Sequence, residues 1–166
     1  MNMIHDPDVL ETENLSPVFE EMQQLVFRSA REKQPVHGVE KAIWEQMLLL
    51  GHKLLGQFFA LSGTGDMGET VTLPTGEVCQ RLEELHERRY VSIFGEFRLQ
   101  RVVYGSREKQ KIEFVPLDNR WQLPESVFSY VLQDWDQALC VEQAFGQAST
   151  TVARILGLKQ SVDSLE

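Results

Sequence analysis

Cysteine is scarce in this chain of 166 residues, which contains only Cys79 and Cys140, far apart along the sequence. Neither belongs to a C-x-x-C pair, and no H-x-x-x-H spacing accompanies them, so the sequence predicts neither a disulfide framework nor a zinc site. We therefore expect no metal ion and no cofactor in this chain. Isolated thiols are typical of a reducing compartment, which favours a cytoplasmic protein.

Long apolar runs are also missing. The most apolar window, residues 47–61, is interrupted by His52, Lys53 and Gln57. It falls short of the ~20 apolar residues that a membrane span requires. The N-terminus "MNMIHDPDVLETENL" has neither the basic segment nor the apolar run of a signal peptide. We expect no membrane partner.

Positive charge is in the minority, with 16 Lys and Arg against 25 Asp and Glu and a net charge of -9. This balance excludes a uniformly basic coat for nucleic acid. The basic residues are nevertheless concentrated in "ERRYVSIFGEFRLQRVVYGSREKQK". Four arginines of this stretch are candidate DNA contacts: Arg88, Arg89, Arg98 and Arg101. The alternative is a hairpin whose charges are simply solvated.

The stretch "GTGDMG", residues 63–68, has the G-x-G-x-x-G spacing of some dinucleotide sites. Such a site requires a strand before the glycines and a helix after them. Here a helical pattern precedes them, and β-branched Thr70, Val71 and Thr72 follow. We reject the dinucleotide interpretation and predict a flexible helix-to-strand linker, with Gly63 ending the helix.

Periodicity predicts an α+β fold with four regions. Residues 1–15 are expected to be a disordered acidic tail. Residues 16–62 are expected to form a helical hairpin, with Ser16 as the N-cap of its first helix and residues 36–61 as its second. We expect Trp44, Phe58 and Phe59 to lie in its core.

Residues 63–123 are expected to be an antiparallel β region with two hairpins and loops. The first hairpin should turn at Pro74, Thr75 and Gly76, and the second at Gly95 and Glu96. A long charged loop with a short apolar piece, residues 112–115, should follow.

Residues 124–166 are expected to be a helical segment that ends in a partial helix-turn-helix. The pattern predicts an inward stripe of Val127, Val131, Trp135 and Leu139. Asp134 and Asp136 are two positions apart and cannot face each other on a helix, so we interpret them as solvated rather than as a catalytic pair.

The last stretch, "FGQASTTVARILGLKQSVDSLE", has the spacing of a helix-turn-helix. A helix over residues 147–156 directs Ala148, Val152 and Ile155 inward, Gly157 supplies the turn, and a second helix begins at Ser161. In such motifs the second helix enters the DNA major groove. The exposed DNA-binding candidates are Lys159, Gln160, Ser161, Asp163 and Ser164. A plain helical packing unit is the alternative.

Three stretches, "ERRYVSIFGEFRLQRVVY", "FVPLDNRWQLPE" and "FSYVLQDWDQALCVEQAFGQASTTVARILGLKQSVDSLE", resemble the ISKra-type insertion-sequence transposases in matching order. The resemblance extends from about Val36 to the C-terminus. It implies the N-terminal segment of a DNA transposase, which binds double-stranded DNA at the terminal repeats of its mobile element.

In such transposases Asp, Asp and Glu of an RNase H-like domain hold two divalent metal ions for strand transfer. The resemblance implies that this catalytic domain follows Glu166, and no residue here matches its triad. The chain also departs from relatives with a cysteine pair after the second hairpin arm, because Gly105, Ser106 and Arg107 stand there. We expect no strand transfer by the chain alone.

Three alternatives remain open at this point. The chain is an interaction module that pairs with itself or with a full-length transposase and modulates it, a small metal-dependent nuclease, or a decayed product without a present role.

Overall fold

The structure, a computed structural model, describes residues 14–106, 111–142 and 144–160. Its helices and small antiparallel sheets confirm the predicted α+β class. The chain divides into two compact units, Met1–Leu61 and Ser62–Glu166. Most of the predicted acidic tail lies outside the described residues.

The first unit contains two helices in mutual contact, α1 (Ser16–Arg31) and α2 (Val36–Leu61). The bounds of α2 are those predicted. Ser16 is the first helical residue rather than the cap; the N-cap is Leu15, and the Ser16 amide donates to Asn14 Oδ1 at 3.0 Å.

The prediction that Trp44 and Phe58 lie in a core is wrong. Their exposed fractions are 41% and 50%, and α2 has no buried residue at all. Phe59 is half-buried and lies edge-on to Phe58, with 5.7 Å between the ring centroids. Within its own unit, α2 therefore keeps much of its apolar surface exposed.

The second unit contains the remaining elements. In chain order they are β1 (Thr70–Thr72), β2 (Val78–Arg81), β3 (His86–Ser92), β4 (Gly95–Arg101), β5 (Tyr104–Ser106), β6 (Lys111–Phe114), α3 (Pro116–Trp121), α4 (Tyr130–Glu142) and α5 (Phe145–Leu156). Four strands form an antiparallel sheet in the order β1-β2-β5-β6, and β3 pairs with β4 in a separate hairpin.

The two predicted hairpins are present, with one displaced turn. β1 and β2 are joined at Pro74, Thr75 and Gly76, as expected. The second turn lies at Ile93 and Phe94, two residues earlier than predicted. The Ser92 hydroxyl accepts a hydrogen bond from the Phe94 amide there, so Gly95 and Glu96 already belong to β4.

The prediction of a long charged loop after Tyr104 is wrong, because this region contains β5, β6 and α3. β5 and β6 pair across a register shift and complete the four-stranded sheet. Pro116 opens α3, where its missing N–H costs nothing. Charged residues between these strands interrupt the apolar pattern, and the sequence therefore did not predict the strands.

The four-stranded sheet buries Val71, Cys79, Val102 and Tyr104 as one apolar cluster. Further buried side chains are Leu99 on β4, Val103 between β4 and β5, and Leu117, Leu132 and Val152 on α3, α4 and α5.

The glycine stretch joins a helix to a strand, as predicted, but it is not a free linker. The Tyr104 hydroxyl accepts a hydrogen bond from the Met67 amide at 2.8 Å and donates one to the Gly68 carbonyl at 2.8 Å. Gly65, with a φ of +80°, lies so close to α3 that a Cβ there would be 3.0 Å from the Leu117 nitrogen. Gly65 thus permits the close approach of this stretch to α3.

The Tyr104 hydroxyl gives the first testable prediction. Tyr104→Phe leaves the Met67 amide and the Gly68 carbonyl without their partner, and we expect it to lower the free energy of unfolding by about 1–3 kcal/mol. Denaturant titration measures the change. Tyr130→Phe, at a tyrosine that is 62% exposed, is the matched control and should change little. Equal effects of the two variants would contradict the prediction.

Candidate nucleic-acid interface

The outer face of the β3–β4 hairpin carries two of the four predicted arginines. Arg89 and Arg98 are directly opposite each other in the register, and both are exposed. Arg89 Nη2 lies 2.8 Å from Glu96 Oε2, and Arg98 Nη1 lies 2.7 Å from Glu87 Oε1. The hydrogen bond from Arg89 is the main cause of a lowered pKa at Glu96. Two arginines and two glutamates make this face locally neutral.

The other two arginines, Arg88 and Arg101, lie on the opposite face of the hairpin and point toward α3. Arg88 Nη1 is 2.7 Å and Arg101 Nη1 is 2.5 Å from Asp118 Oδ2. The three side chains are only 16%, 13% and 22% exposed. The expectation that all four arginines form an exposed basic patch is therefore wrong for this pair.

Arg88 also reaches the segment that leads into α4. Its Nη2 donates to the carbonyl oxygens of Pro124 and Ser126. Residues 127–129 then run beside β3, where the Val91 amide donates to the Val127 carbonyl and the Ser129 amide donates to the Val91 carbonyl, both at 2.8 Å. This extended segment corrects the prediction that the helical region begins near Pro124.

Asp118 gives the second prediction. Asp118→Ala removes the negative charge shared by two largely buried guanidinium groups, and an uncompensated buried charge is costly. We expect the free energy of unfolding to fall by about 3 kcal/mol. Denaturant unfolding of the whole chain measures it.

Glu96→Ala is the control for Asp118→Ala, because it also removes a carboxylate paired with two arginines, but on the exposed face. Exposed pairs contribute little, so this variant should be nearly neutral. A large loss in Glu96→Ala, or none in Asp118→Ala, would contradict the assignment.

The helices α4 and α5 pack against each other, but through a different face of α4 than the sequence predicted. Leu132 and Asp136 are buried, whereas Val131 and Trp135 of the predicted stripe are exposed. The helix starts at Tyr130, and the Ser129 hydroxyl caps it by accepting a hydrogen bond from the Leu132 amide at 3.2 Å. Capping at Ser129 and burial of Leu132 together fix which side faces inward.

On α5 the buried side chains are Ala148, Val152 and Leu156. Ile155, which was predicted to face inward, is 47% exposed. The predicted break at Gly157 is confirmed: this residue ends α5 in the left-handed region at φ 70°, and its amide donates to the Ala153 carbonyl at 3.0 Å. Glycine adopts that conformation without a Cβ penalty.

The segment after Gly157 is anchored to both helices through Gln160. Gln160 Nε2 donates to Asp136 Oδ2 on α4 at 2.8 Å, and the Ser149 hydroxyl of α5 donates to the Gln160 carbonyl at 2.9 Å. Gln160 is half-buried, so the expectation that its side chain is exposed is wrong, and its contact with a DNA base stays a prediction. It fixes the direction in which the chain leaves α5.

Asp136 was predicted to be solvated, but it is 7% exposed. Its burial raises the pKa of the carboxyl, and the hydrogen bond from Gln160 partly offsets that rise. Asp136 Oδ1 and Gln160 Oε1 are both buried without a hydrogen-bond partner among the described residues. The pair therefore has two acceptors that lack a donor.

The third prediction concerns pH. A carboxyl whose pKa is raised by folding stabilises the fold while protonated, and that contribution is lost as pH rises from the ordinary aspartate pKa through the raised one. Asp136→Asn cannot ionise and brings an amide donor. We expect its melting temperature, relative to wild type, to increase across this pH interval and then to level off.

Asp134→Asn is the matched control, because Asp134 is an exposed carboxylate on the same helix. Its melting temperature relative to wild type should vary little over the same interval. Parallel pH curves for wild type and Asp136→Asn would contradict the burial effect.

The remaining predicted contacts lie at the C-terminal end. Lys159 is exposed on the turn after α5. Ser161, Asp163 and Ser164, together with the predicted second helix, lie outside the described residues. Of the predicted set, the described part of the chain thus presents Lys159, Arg89 and Arg98 at the surface.

The described residues contain no group of three or more His, Cys, Asp or Glu side chains placed to hold a metal ion. None of the helices in residues 14–106, 111–142 and 144–160 is long and apolar enough to cross a membrane. Cys79 is buried and Cys140 is half-buried, and neither forms a disulfide within the part of the chain that the structure describes.

Sequence reasoning missed the two carboxylates that organise this region. Asp118 follows Val115, Pro116 and Leu117, and a proline with an acid two residues later is a recognisable helix start. Asp136 occurs at i+4 from Leu132, but its charge removed it from the apolar pattern. Only Asp118 lies in a local sequence pattern from which its position could have been predicted.

Comparison with known proteins adds no relative: the chain matches no family model, no curated protein and no solved structure.

Proposed function

We propose that this chain is the DNA-recognition segment of an insertion-sequence DNA transposase and binds double-stranded DNA at the terminal repeats of its element. The observation that carries the proposal is the anchored turn after α5. Gly157 ends the helix, and Gln160 is bonded to both α4 and α5. A helix-turn-helix requires such a fixed exit direction, because its second helix must meet the groove at a defined angle.

The charge distribution supports the C-terminal turn over the β-hairpin as the main contact. Arg88 and Arg101 point inward and share the single carboxylate of Asp118, and Arg89 and Arg98 share their face with Glu87 and Glu96. Lys159 stands exposed at the turn, next to the predicted second helix. The proposal assigns binding to this chain and strand transfer to a separate catalytic domain. A cytoplasmic setting is part of the same proposal.

Lys159 gives the fourth prediction. Lys159→Ala should weaken binding to a duplex that carries the terminal repeats and lower the salt slope by about 1, as expected for one lost phosphate contact. Gel-shift titrations at several salt concentrations measure both quantities. A scrambled duplex separates specific from non-specific binding.

Lys41→Ala is the matched control, since Lys41 is an exposed lysine on α2 with a side chain that is 77% exposed. It should bind like wild type. Wild-type binding that is absent, or that does not weaken with salt, contradicts the proposed function.

A second candidate function is favoured by the apolar surface of α2. In this second function, the chain is an interaction module. Its two helices pair with the corresponding helices of a full-length transposase, and the pairing modulates that enzyme. Co-purification with that enzyme, together with no affinity for the duplex, distinguishes this function from direct DNA recognition.

A further inference from the structure

The helix α2 presents a continuous apolar stripe, which we call the α2 seam. It consists of Trp44, Met47, Leu54, Phe58 and Leu61, with Gly51 between Met47 and Leu54. Each of the five large side chains is between 41% and 57% exposed. Their spacing alternates three and four residues once Gly51 is included, which is the a/d pattern of a helix that packs along another helix.

The first unit does not bury this surface by itself. In residues 14–61 the only buried side chains are Val18 and Ser29, both on α1. Two helices in water gain most of their stability from packing of their apolar faces, so a helical pair with one buried apolar residue is marginal. The unit therefore requires a further surface against the seam.

We propose that the occupant is a second copy of this chain, with the two α2 helices antiparallel and the two helical pairs forming a four-helix bundle. In the register that overlaps the whole seam, Trp44 faces Leu61 of the second copy and Met47 faces Phe58 of the second copy. Gly51 then faces Leu54 of the second copy. A large side chain opposite a glycine fills the space that a parallel pair, with glycine opposite glycine, leaves empty.

The seam provides more than half of the area that a stable self-associating surface buries. Five side chains that expose about half of their surface, at roughly 200 Å² each, present on the order of 500 Å² per copy. A stable interface buries about 800 Å² per partner. Phe19 and Val26, exposed and seven residues apart on one face of α1, are further apolar side chains that this unit leaves uncovered. A two-fold pair also closes on itself, because each copy offers the same surface.

The fifth prediction tests the occupant with the full chain. We expect wild type to be a dimer by light scattering coupled to size exclusion, with a helical melting temperature that rises with protein concentration. Leu54→Glu places a carboxylate in the seam and should weaken dimerisation by roughly 100-fold or more. Circular dichroism at low and high concentration shows whether the second unit remains folded.

Leu49→Glu is the matched control, because Leu49 is a similarly exposed leucine, 44% against 52% for Leu54, on the opposite side of α2. It should remain dimeric. A monomeric wild type, an equal loss in both variants, or a dimer that survives Leu54→Glu overturns the proposal. A monomeric wild type would assign the seam to another surface of the same chain or to a different partner, whereas a dimer that survives Leu54→Glu would place the dimer interface outside the seam.

The register has its own test in a Cys140→Ser background. Met47→Cys and Phe58→Cys proteins are oxidised separately and as a mixture. The antiparallel register predicts a disulfide-linked dimer in the mixture only, whereas self-linking of each single variant overturns it. Neither result depends on DNA binding, so failure of this inference and failure of the proposed function are distinguishable.

Discussion

The carboxylate of Asp118 is the interaction on which the second unit depends. It accepts hydrogen bonds from Arg88 on β3 and Arg101 on β4, and so joins both arms of the hairpin to α3. Arg88 also donates hydrogen bonds to the carbonyl oxygens of Pro124 and Ser126, which precede α4. Buried ion pairs of this kind add little net stability relative to apolar packing, but losing one partner is costly. Their effect here is to fix geometry.

This arrangement changes how the basic stretch in the middle of the chain is interpreted. A high local density of arginine indicates a positive surface only when the side chains share a face and lack counter-charges. Here two arginines point inward to Asp118 and two lie beside glutamates, so the hairpin contributes little positive potential. The proposed DNA contact therefore rests on the anchored turn after α5, where Asp136 and Ser149 hold Gln160.

The two units differ in how far they bury their own apolar side chains. The second unit buries a sheet cluster around Tyr104 and, separately, side chains such as Leu99 and Leu132 within one chain. The first unit consists of two helices whose largest apolar side chains remain exposed, which is the condition under which helical pairs associate. An α2 seam shared by two copies would bring two of the proposed recognition segments into one assembly.

Local patterns were sufficient for the elements whose signal lies within one turn or strand. They predicted the bounds of α2, the β1–β2 turn at Pro74, Thr75 and Gly76, and the end of α5 at Gly157, because helix periodicity and glycine conformation are properties of neighbouring residues. The partners of Arg88, Arg101 and Gln160 required the tertiary structure, since they lie 30, 17 and 24 residues away along the chain. The burial of Asp136 and the exposure of Trp44 likewise required the tertiary structure. A side chain's environment depends on which distant surface folds against it, and periodicity does not contain that information.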